Sequence, residues 1–208
     1  TETLINHLPF LLKSSMARVK VVLSNNQNVG VHARVNQLGV PSFVFSREEF
    51  NDGQIILDKL HEYDVDLIVL AGFMSKISDS LLNAYPNKII NIHPALLPKF
   101  GGKGMYGHHV HEAVVSAGEE KTGITIHYIN ERYDDGTIIF QAECPVYSAE
   151  TPEEVAMKVH TLEYKYYVSG SLGGADAINF LRRKGLRGIY GFISRKSNNS
   201  QSRKGFTK

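Results

Sequence analysis

The sequence is poor in cysteine, in tryptophan and in long hydrophobic runs. It has one cysteine, Cys144, and no tryptophan among 208 residues. One cysteine excludes an internal disulfide framework, and because Cys144 lies in an apolar, strand-like stretch we interpret it as a small core residue rather than a nucleophile. No apolar run approaches the roughly 20 residues that cross a membrane, and no signal-peptide pattern opens the chain. We therefore expect a protein of the reducing cytoplasm with no membrane partner.

Charge is unevenly distributed along a chain of otherwise ordinary composition. Hydrophobic residues make up 42% of the sequence and charged residues 21%, and the net charge is +2. Residues 168–208 contain nine Lys or Arg residues and one acid, which leaves residues 1–167 with 14 basic and 20 acidic residues. This division predicts one substantial domain over 1–167 and an atypical basic tail over 168–208 that is partly disordered.

Strand-like and helix-like segments alternate along the first part of the chain. Strands are predicted at 19–24, 41–45, 66–72, 89–92, 122–129 and 137–145, and helices at 1–13, 29–38, 46–63, 79–85, 108–117 and 151–166. The apolar run from Asp66 to Gly72 is continuous, as in a strand buried on both faces of a parallel sheet. The pattern predicts an α/β protein with a doubly wound, mostly parallel sheet.

Two polar motifs are the strongest candidates for chemistry. Asn91 and His93 end a predicted strand that Pro94 terminates, and open α/β sheets bind their ligands at such strand ends. Asp134 lies in a turn between two later strands and could approach His93. An amide donor, an imidazole and a carboxylate would form an acyl-transfer site. The alternative is that His93 is an ordinary loop residue before a proline.

Four segments together resemble the folate-dependent formyltransferases, and within them the phosphoribosylglycinamide formyltransferase group. They are Leu70–Met74, Asn91–Pro98, Gly123–Tyr128 and Asp134–Gly136, within a resemblance that covers roughly residues 3–167. The resemblance implies a Rossmann-like fold. It also implies transfer of a formyl group from 10-formyltetrahydrofolate, a co-substrate, to the amine of glycinamide ribonucleotide in purine biosynthesis, between small molecules and without a metal.

The resemblance assigns the catalytic roles by motif. Asn91 would hold the formyl oxygen, His93 would be the general acid, and Asp134 would keep His93 protonated. These roles suit the chemistry, because attack on a formyl carbon places negative charge on oxygen, which an amide and an imidazolium stabilise. A nearby carboxylate raises the pKa of an imidazole.

The resemblance also implies binding residues. The folate would be lined by Asn91 and by the segment Met74, Ser75, Lys76 and Ile77, although many relatives have arginine at the position of Ser75. Arg47 would lie near the glutamate tail of the folate, or else be a solvated charge of a first helical turn. His108 and Glu163 would contact the ribonucleotide, while Glu163 could equally be an exposed helical acid. A metal site at His108 and His111 is disfavoured, because no carboxylate or cysteine completes a ligand shell there.

The sequence departs from the family pattern at both ends. The first strand and the glycine-rich phosphate loop are absent from the expected position, and that strand is central in the fold. One explanation is that the basic tail is foreign sequence. The other is that Arg187–Ser194 occupies the vacant strand position and Arg195–Asn199 replaces the phosphate loop.

Other functions stay open at this point. The chain could be another formyl-folate enzyme, of the methionyl-tRNA formyltransferase or formyl-folate hydrolase type, although each of these normally carries a further domain. It could also be an inactive fragment, or an enzyme impaired by the missing segment. Nucleic-acid binding through the tail is disfavoured because no helix-turn-helix or aromatic RNA-binding motif accompanies the charge. The sequence allows a monomer or a homodimer.

Overall fold

The computed structural model describes residues 18–25, 30–73, 75–167 and 189–194. The strands are β1 (Arg18–Ser24), β2 (Ser42–Val44), β3 (Leu67–Ala71), β4 (Ile89–His93), β5 (Lys121–Tyr128), β6 (Ile138–Pro145) and β7 (Ile189–Ser194). The helices are α1 (Gly30–Gln37), α2 (Arg47–Asp52), α3 (Gln54–Glu62), α4 (Asp79–Ala84), α5 (His108–Ser116) and α6 (Pro152–Tyr167). None of the helices described is long and apolar enough to span a membrane.

The strands described form one mixed sheet in the order β2-β1-β7-β3-β4-β5-β6. The five strands from β2 to β4 run parallel, while β5 and β6 are antiparallel to their neighbours. The carboxyl ends of β3 and β4 therefore lie at the same edge of the sheet. The predicted catalytic residues Asn91 and His93 lie at this end of β4. The prediction of a doubly wound, mostly parallel sheet is confirmed.

Two apolar clusters cover the two faces of the sheet. Ile68, Leu70 and Ile89 pack with α2, α3 and α4 in one cluster, and all three side chains are nearly inaccessible to solvent. Ile92 packs with Ile126 and with helices α5 and α6 in the other cluster. Since Ile89 and Ile92 are an odd number of positions apart on β4, they point to opposite faces. Helices therefore cover both sides of the sheet.

The helix predicted over 46–63 is wrong in one respect, because two helices occupy this range. Ser46 and Glu49 form the expected capping box at the start of α2. Gly53 then adopts a left-handed conformation, with φ of 79°, which ends α2 before α3 begins at Gln54. A glycine accepts this backbone without the steric cost of a Cβ atom. The helix predicted over 1–13 lies outside the described residues.

The vacant strand position between β1 and β3 is occupied by β7. This strand pairs in parallel with both neighbours, placing Gly191 opposite Val21 of β1 and opposite Ile68 of β3. The second explanation of the altered chain is therefore confirmed for the strand itself. The segment 195–199, expected to replace the phosphate loop, lies outside the described residues. The division into a domain over 1–167 and a tail over 168–208 stays a prediction.

Candidate active site

A pocket of about 590 Å³ opens at the carboxyl ends of β3 and β4. Its volume lies in the range of pockets that enclose a drug-sized ligand. Loops after both strands, the glycine-rich segment 102–107, the turn at 129–134 and the facing sides of α5 and α6 line it. The pocket therefore lies where the alternating pattern of strands and helices predicted a ligand.

His93 is the last residue of β4 and is buried in the wall of this pocket, with 3% of its surface exposed. Its Nε2 lies 2.7 Å from the carbonyl oxygen of Phe100, to which an Nε2–H donates a hydrogen bond. Its Nδ1 lies 3.6 Å from Oδ2 of Asp134. Both ring nitrogens thus face oxygen atoms, and only the doubly protonated ring can donate to both.

Asp134 lies between two buried histidines. Its Oδ2 faces His93, and its Oδ1 lies 3.7 Å from Nε2 of His127. The backbone N–H of Gly102 donates to Oδ2 at 2.9 Å, which ties the carboxylate to the glycine-rich loop. Asp134 has a positive φ of 52°, a conformation that aspartate tolerates better than most residues. The turn is therefore shaped to direct this carboxylate towards His93, as the motif predicted.

His127 is a site residue to which the sequence analysis gave no role. It lies opposite Asn91 in the antiparallel pairing of β4 and β5. Its Nδ1 is 2.9 Å from the carbonyl oxygen of Tyr128, so Nδ1 carries a proton that it donates there. In the neutral ring Nε2 is then an acceptor, and it lies 3.4 Å from Nδ2 of Asn91. The contact orients the Asn91 amide, and the strand register was the signal that could have revealed it.

The pKa values of the buried histidines are lowered by desolvation. Burial lowers the pKa of His93, while Asp134 and the hydrogen bond to Phe100 act in the opposite direction. Burial also lowers the pKa of His127, again opposed by Asp134. The expected effect of Asp134 on His93 thus has the predicted sign, but it competes with a burial that the sequence analysis did not consider.

A buried hydrogen-bond network holds the chain that follows His93. The hydroxyl of Thr125 donates to the carbonyl of Ala95 at 2.7 Å and accepts from the N–H of Leu97 at 2.9 Å. Gln141 donates to the Leu97 carbonyl at 3.0 Å and to the Thr125 hydroxyl at 2.9 Å. Since Thr125 pairs with His93 in the β4–β5 register, the network fixes the backbone next to the imidazole.

Most of the predicted site residues lie around this one pocket. The predicted residues that line it are Ser75, Lys76, Ile77, Asn91, His93, His108, Asp134 and Glu163. Arg47 is exposed in the first turn of α2 and lies outside the pocket as the described residues form it. Met74 lies outside the described residues.

Helices α5 and α6 contribute a further group of titratable side chains. His108 and His111 of α5 line the pocket with His160 and Glu163 of α6. Nδ1 of His160 lies 3.0 Å from Oε2 of Glu163, and the rings of His111 and His160 are 6.3 Å apart. No group of three or more potential ligands among the described residues is arranged to hold a metal ion. His111 and His160 were not among the predicted site residues.

The doubly wound sheet presents an amide, a buried imidazole and a carboxylate to one pocket. This is the arrangement expected of an α/β group-transfer protein. The chain belongs to the formyl transferase family. The family model described as "Formyl transferase" matches residues 4–170. The resemblance seen in the four motifs is thereby confirmed.

Several of the similar proteins are named phosphoribosylglycinamide formyltransferase. The chloroplastic protein of Arabidopsis thaliana is 42% identical over 155 residues, covering 72% of this chain and 53% of its own length. The protein of Haemophilus influenzae is 33% identical over 181 residues, covering 82% of this chain and 83% of its own length. The crystal structure of the Anaplasma phagocytophilum enzyme, at 35% identity, covers 81% of this chain and 78% of its own, with a TM-score of 0.72. The chain thus spans about half the length of the Arabidopsis protein.

Proposed function

We propose that this protein transfers the formyl group of 10-formyltetrahydrofolate to the amine of glycinamide ribonucleotide, a step of purine biosynthesis. The observation that carries the proposal is the placement of Asn91 and His93 at the end of β4 with Asp134 beside them, in a pocket of ligand size. The names of the relatives in Arabidopsis and Haemophilus support the choice of acceptor.

In the proposed reaction the substrate amine attacks the formyl carbon and negative charge develops on the formyl oxygen. The Nδ2–H of Asn91 and an N–H of protonated His93 stabilise this charge by hydrogen bonds. The bond between the formyl carbon and the folate nitrogen then breaks. The folate nitrogen gains a proton from His93, and the proton lost by the former amine passes to the neutral His93, which restores its protonated form.

Asn91 is held ready for this role by His127. One Nδ2–H of Asn91 points to the acceptor Nε2 of His127, so the amide cannot present its oxygen in that direction. The other Nδ2–H is left for the formyl oxygen. Fixing the amide before the substrate arrives avoids reorganisation during the reaction, which is how oxyanion sites gain their effect.

Proton donation by His93 requires a local rearrangement. Its Nε2 is engaged with the Phe100 carbonyl at 2.7 Å, and its Nδ1 faces Asp134. Phe100 precedes the glycine-rich segment and has a positive φ of 55°, as do Gly102 and Gly104 with φ of 97° and 92°. We propose that this segment shifts when substrates bind, which frees Nε2 for the substrate while Asp134 retains Nδ1.

The co-substrate would occupy the part of the pocket next to β3. Ser75, Lys76 and Ile77 line this part together with apolar residues such as Leu70 and Ile129. An aromatic, hydrogen-bonding pterin suits apolar walls with exposed backbone groups. Lys76 is exposed at the rim and could approach an acidic tail. Contacts by Met74 and Arg47 with the folate stay predictions.

The ribonucleotide would lie towards α5 and α6. His108 and Glu163 line this side, and Glu163 is buried enough that a carboxylate there needs a hydrogen-bond donor as partner. Its Oε2 has such a partner in His160.

The test is formyl transfer by the purified 208-residue chain, with 10-formyltetrahydrofolate and glycinamide ribonucleotide as substrates. Release of tetrahydrofolate that depends on the ribonucleotide supports the proposal. Release without any acceptor would identify a hydrolase, and release that depends on methionyl-tRNA would identify the other formyl-folate enzyme. A chain that unfolds cooperatively but transfers no formyl group to the ribonucleotide refutes the proposal.

Location in the cytoplasm, the absence of a resident metal and the choice between monomer and homodimer remain predictions. The two plant relatives are chloroplastic proteins by name, so the cytoplasm is not the location of every relative.

A further inference from the structure

Phe100 has a backbone conformation that its side chain disfavours. Four of the non-glycine residues described have a positive φ, and three of these are Asp64, Asn87 and Asp134. Aspartate and asparagine tolerate the left-handed region better than other residues, whereas a bulky aromatic residue is an outlier there. The fourth residue is Phe100, with φ of 55°. Such a conformation persists only where the surrounding structure imposes it, and it is a common feature of active sites.

Contacts on both sides of Phe100 impose this conformation. Before it, side chains of β5 and β6 bind the N–H and the carbonyl of Leu97. After it, the N–H of Gly102 donates to Oδ2 of Asp134 at 2.9 Å. Between these points, a Cβ on Gly101 would lie 2.5 Å from Cδ2 of Leu97 and 3.1 Å from Cβ of Asp134. The chain therefore has to turn sharply in a tightly packed space, and the left-handed residue lies within that turn.

The turn directs the Phe100 carbonyl at His93. The carbonyl oxygen is 2.7 Å from Nε2 of the imidazole. Oδ2 of Asp134 lies on the other side of the ring, 3.6 Å from Nδ1. A doubly protonated imidazole can donate to both oxygens, whereas a neutral ring can donate to only one of them. The geometry at the turn therefore favours the protonated ring.

This contact opposes the effect of burial on His93. Burial lowers the pKa of the imidazole, while Asp134, the Phe100 carbonyl and Glu163 raise it. In the proposed reaction His93 must carry a proton before it can donate one to the folate nitrogen. Of these three groups, the carbonyl is the one whose position depends on a disfavoured backbone conformation.

We infer that Phe100 is a positioning residue, whose left-handed backbone aims its carbonyl at Nε2 of His93 and so holds the doubly protonated imidazole in the enzyme before substrates bind. This inference rests on the proposed function, because it takes His93 as the proton donor. When the segment shifts on substrate binding, Nε2 is released with its proton already in place. The competing explanation is the packing of the Phe100 side chain against the apolar cluster that contains Ile92.

The test compares Phe100→Asn with Phe100→Val. Asparagine adopts the left-handed region readily but removes the apolar side chain. Valine keeps an apolar side chain, but its branched Cβ disfavours a positive φ. Glycine would also accept the backbone, but beside Gly101 and Gly102 it would loosen the segment. The readout is the pH profile of kcat/KM, which reports the pKa values of groups in the free enzyme.

For Phe100→Val we expect activity to be lost at a lower pH than in the unmodified chain, because the ring loses a hydrogen bond that favours its charged form. At neutral pH kcat/KM should fall about 10-fold, as for loss of one hydrogen bond to a charged group. At lower pH, where His93 is protonated in both proteins, the two values should converge. Phe100→Asn should keep the pH dependence of the unmodified chain. The titratable groups around His93 are the same in all these proteins, namely Asp134, His111, His127 and Glu163.

Phe43→Val and Phe43→Asn are the matched controls. Phe43 is a half-buried residue of the strand β2, outside the pocket as the described residues form it. In a strand, valine should be tolerated better than asparagine in thermal unfolding, and neither substitution should move the pH profile. A measurement that needs no turnover is the NMR titration of the His93 ring, assigned by comparison with His93→Ala. The ring should lose its proton at a lower pH in Phe100→Val than in Phe100→Asn.

The inference is overturned if Phe100→Asn moves the profile as much as Phe100→Val does, since the side chain would then be what matters. An unmoved profile in Phe100→Val also overturns it, as does a fall in kcat/KM that is equal at every pH. If Phe100→Val does not fold, Phe100→Ala takes its place, because alanine also disfavours a positive φ. Absence of transfer by the folded, unmodified chain would refute the proposed function, and the NMR titration would then still test the effect of the Phe100 carbonyl on His93.

Discussion

Acidification should destabilise this protein through His111, and the structure allows the size of the effect to be worked out. The pKa of His111 falls from the ordinary 6.5 to about 4, mainly because the ring is buried and further because His160 lies beside it. Glu163 opposes the shift, while His108 and His93 add to it. The unfolded chain therefore binds a proton at His111 at a higher pH than the folded chain does.

The free energy of unfolding should consequently decrease as the pH falls from about 6.5 to about 4. One pKa unit corresponds to about 1.4 kcal/mol, so protonation of this group lowers the stability by up to about 3 kcal/mol over that window. Above the unfolded pKa the contribution is fully present, and no further change is expected from this group. A loss of this size is a large part of the stability of a typical domain.

The assay is urea unfolding at a series of pH values between 7.5 and 4, followed by far-UV circular dichroism because the chain has no tryptophan. His111→Asn removes the titrating group, so its stability should fall less steeply across the window than that of the unmodified chain. Groups that titrate in both proteins cancel in the difference. His109→Asn serves as the control for removal of one imidazole. Identical pH dependence for the unmodified chain and His111→Asn would refute the reasoning.

Three further predictions concern the proposed catalytic residues and the sheet. His93→Ala should lower kcat at least about 100-fold, the usual contribution of a general acid, with an unchanged far-UV spectrum; near-normal turnover would remove His93 from its role. Activity should be lost as the pH rises and His93 loses its proton, and in Asp134→Asn this loss should occur at a lower pH because Asp134 raises the pKa of His93. The pH profile of kcat measures this shift. A profile that does not move, or that moves to higher pH, contradicts the pairing of Asp134 with His93. Gly123→Ala should lower the melting temperature, since a Cβ there would overlap the Ala142 backbone of β6. The cost is about 1–3 kcal/mol, and a melting temperature equal to that of the unmodified chain would contradict the close approach of β5 and β6.

The sequence predicted the sheet well because its strands are apolar and the residues that end or begin each element, such as Pro94 and Ser46, are easily recognised. The buried run of β3, the end of β4 before Pro94 and the start of α2 at Ser46 lie within one or two residues of their predicted positions. The break at Gly53 was missed, because a lone glycine inside an amphipathic pattern does not reveal whether the backbone will turn left-handed there.

Site residues that are close together in the sequence were predicted. Site residues that meet only through strand pairing or burial in the fold were missed. Asn91 and His93 share one strand end, so a short motif was enough to identify them. His127 depends on the register between β4 and β5, which places it opposite Asn91. The position of His111 in the pocket wall follows from the burial of that face of α5. In the sequence, its spacing from His108 indicated only a possible metal site. Burial and register are properties of the assembled fold, which local patterns do not determine.

The position of β7 has a consequence for the order in which the molecule can fold. Its residues are made long after those of β1 and β3, yet Val22 and Val69 both pair with Phe192 across this one strand. Until β7 arrives, the ribosome-bound chain has two half-sheets with unpaired inner edges. Such a high contact order slows folding, and exposed strand edges favour aggregation in the interval. The central sheet therefore cannot be completed before β7 has been synthesised, and chaperone binding should be strongest just before β7 pairs with β1 and β3.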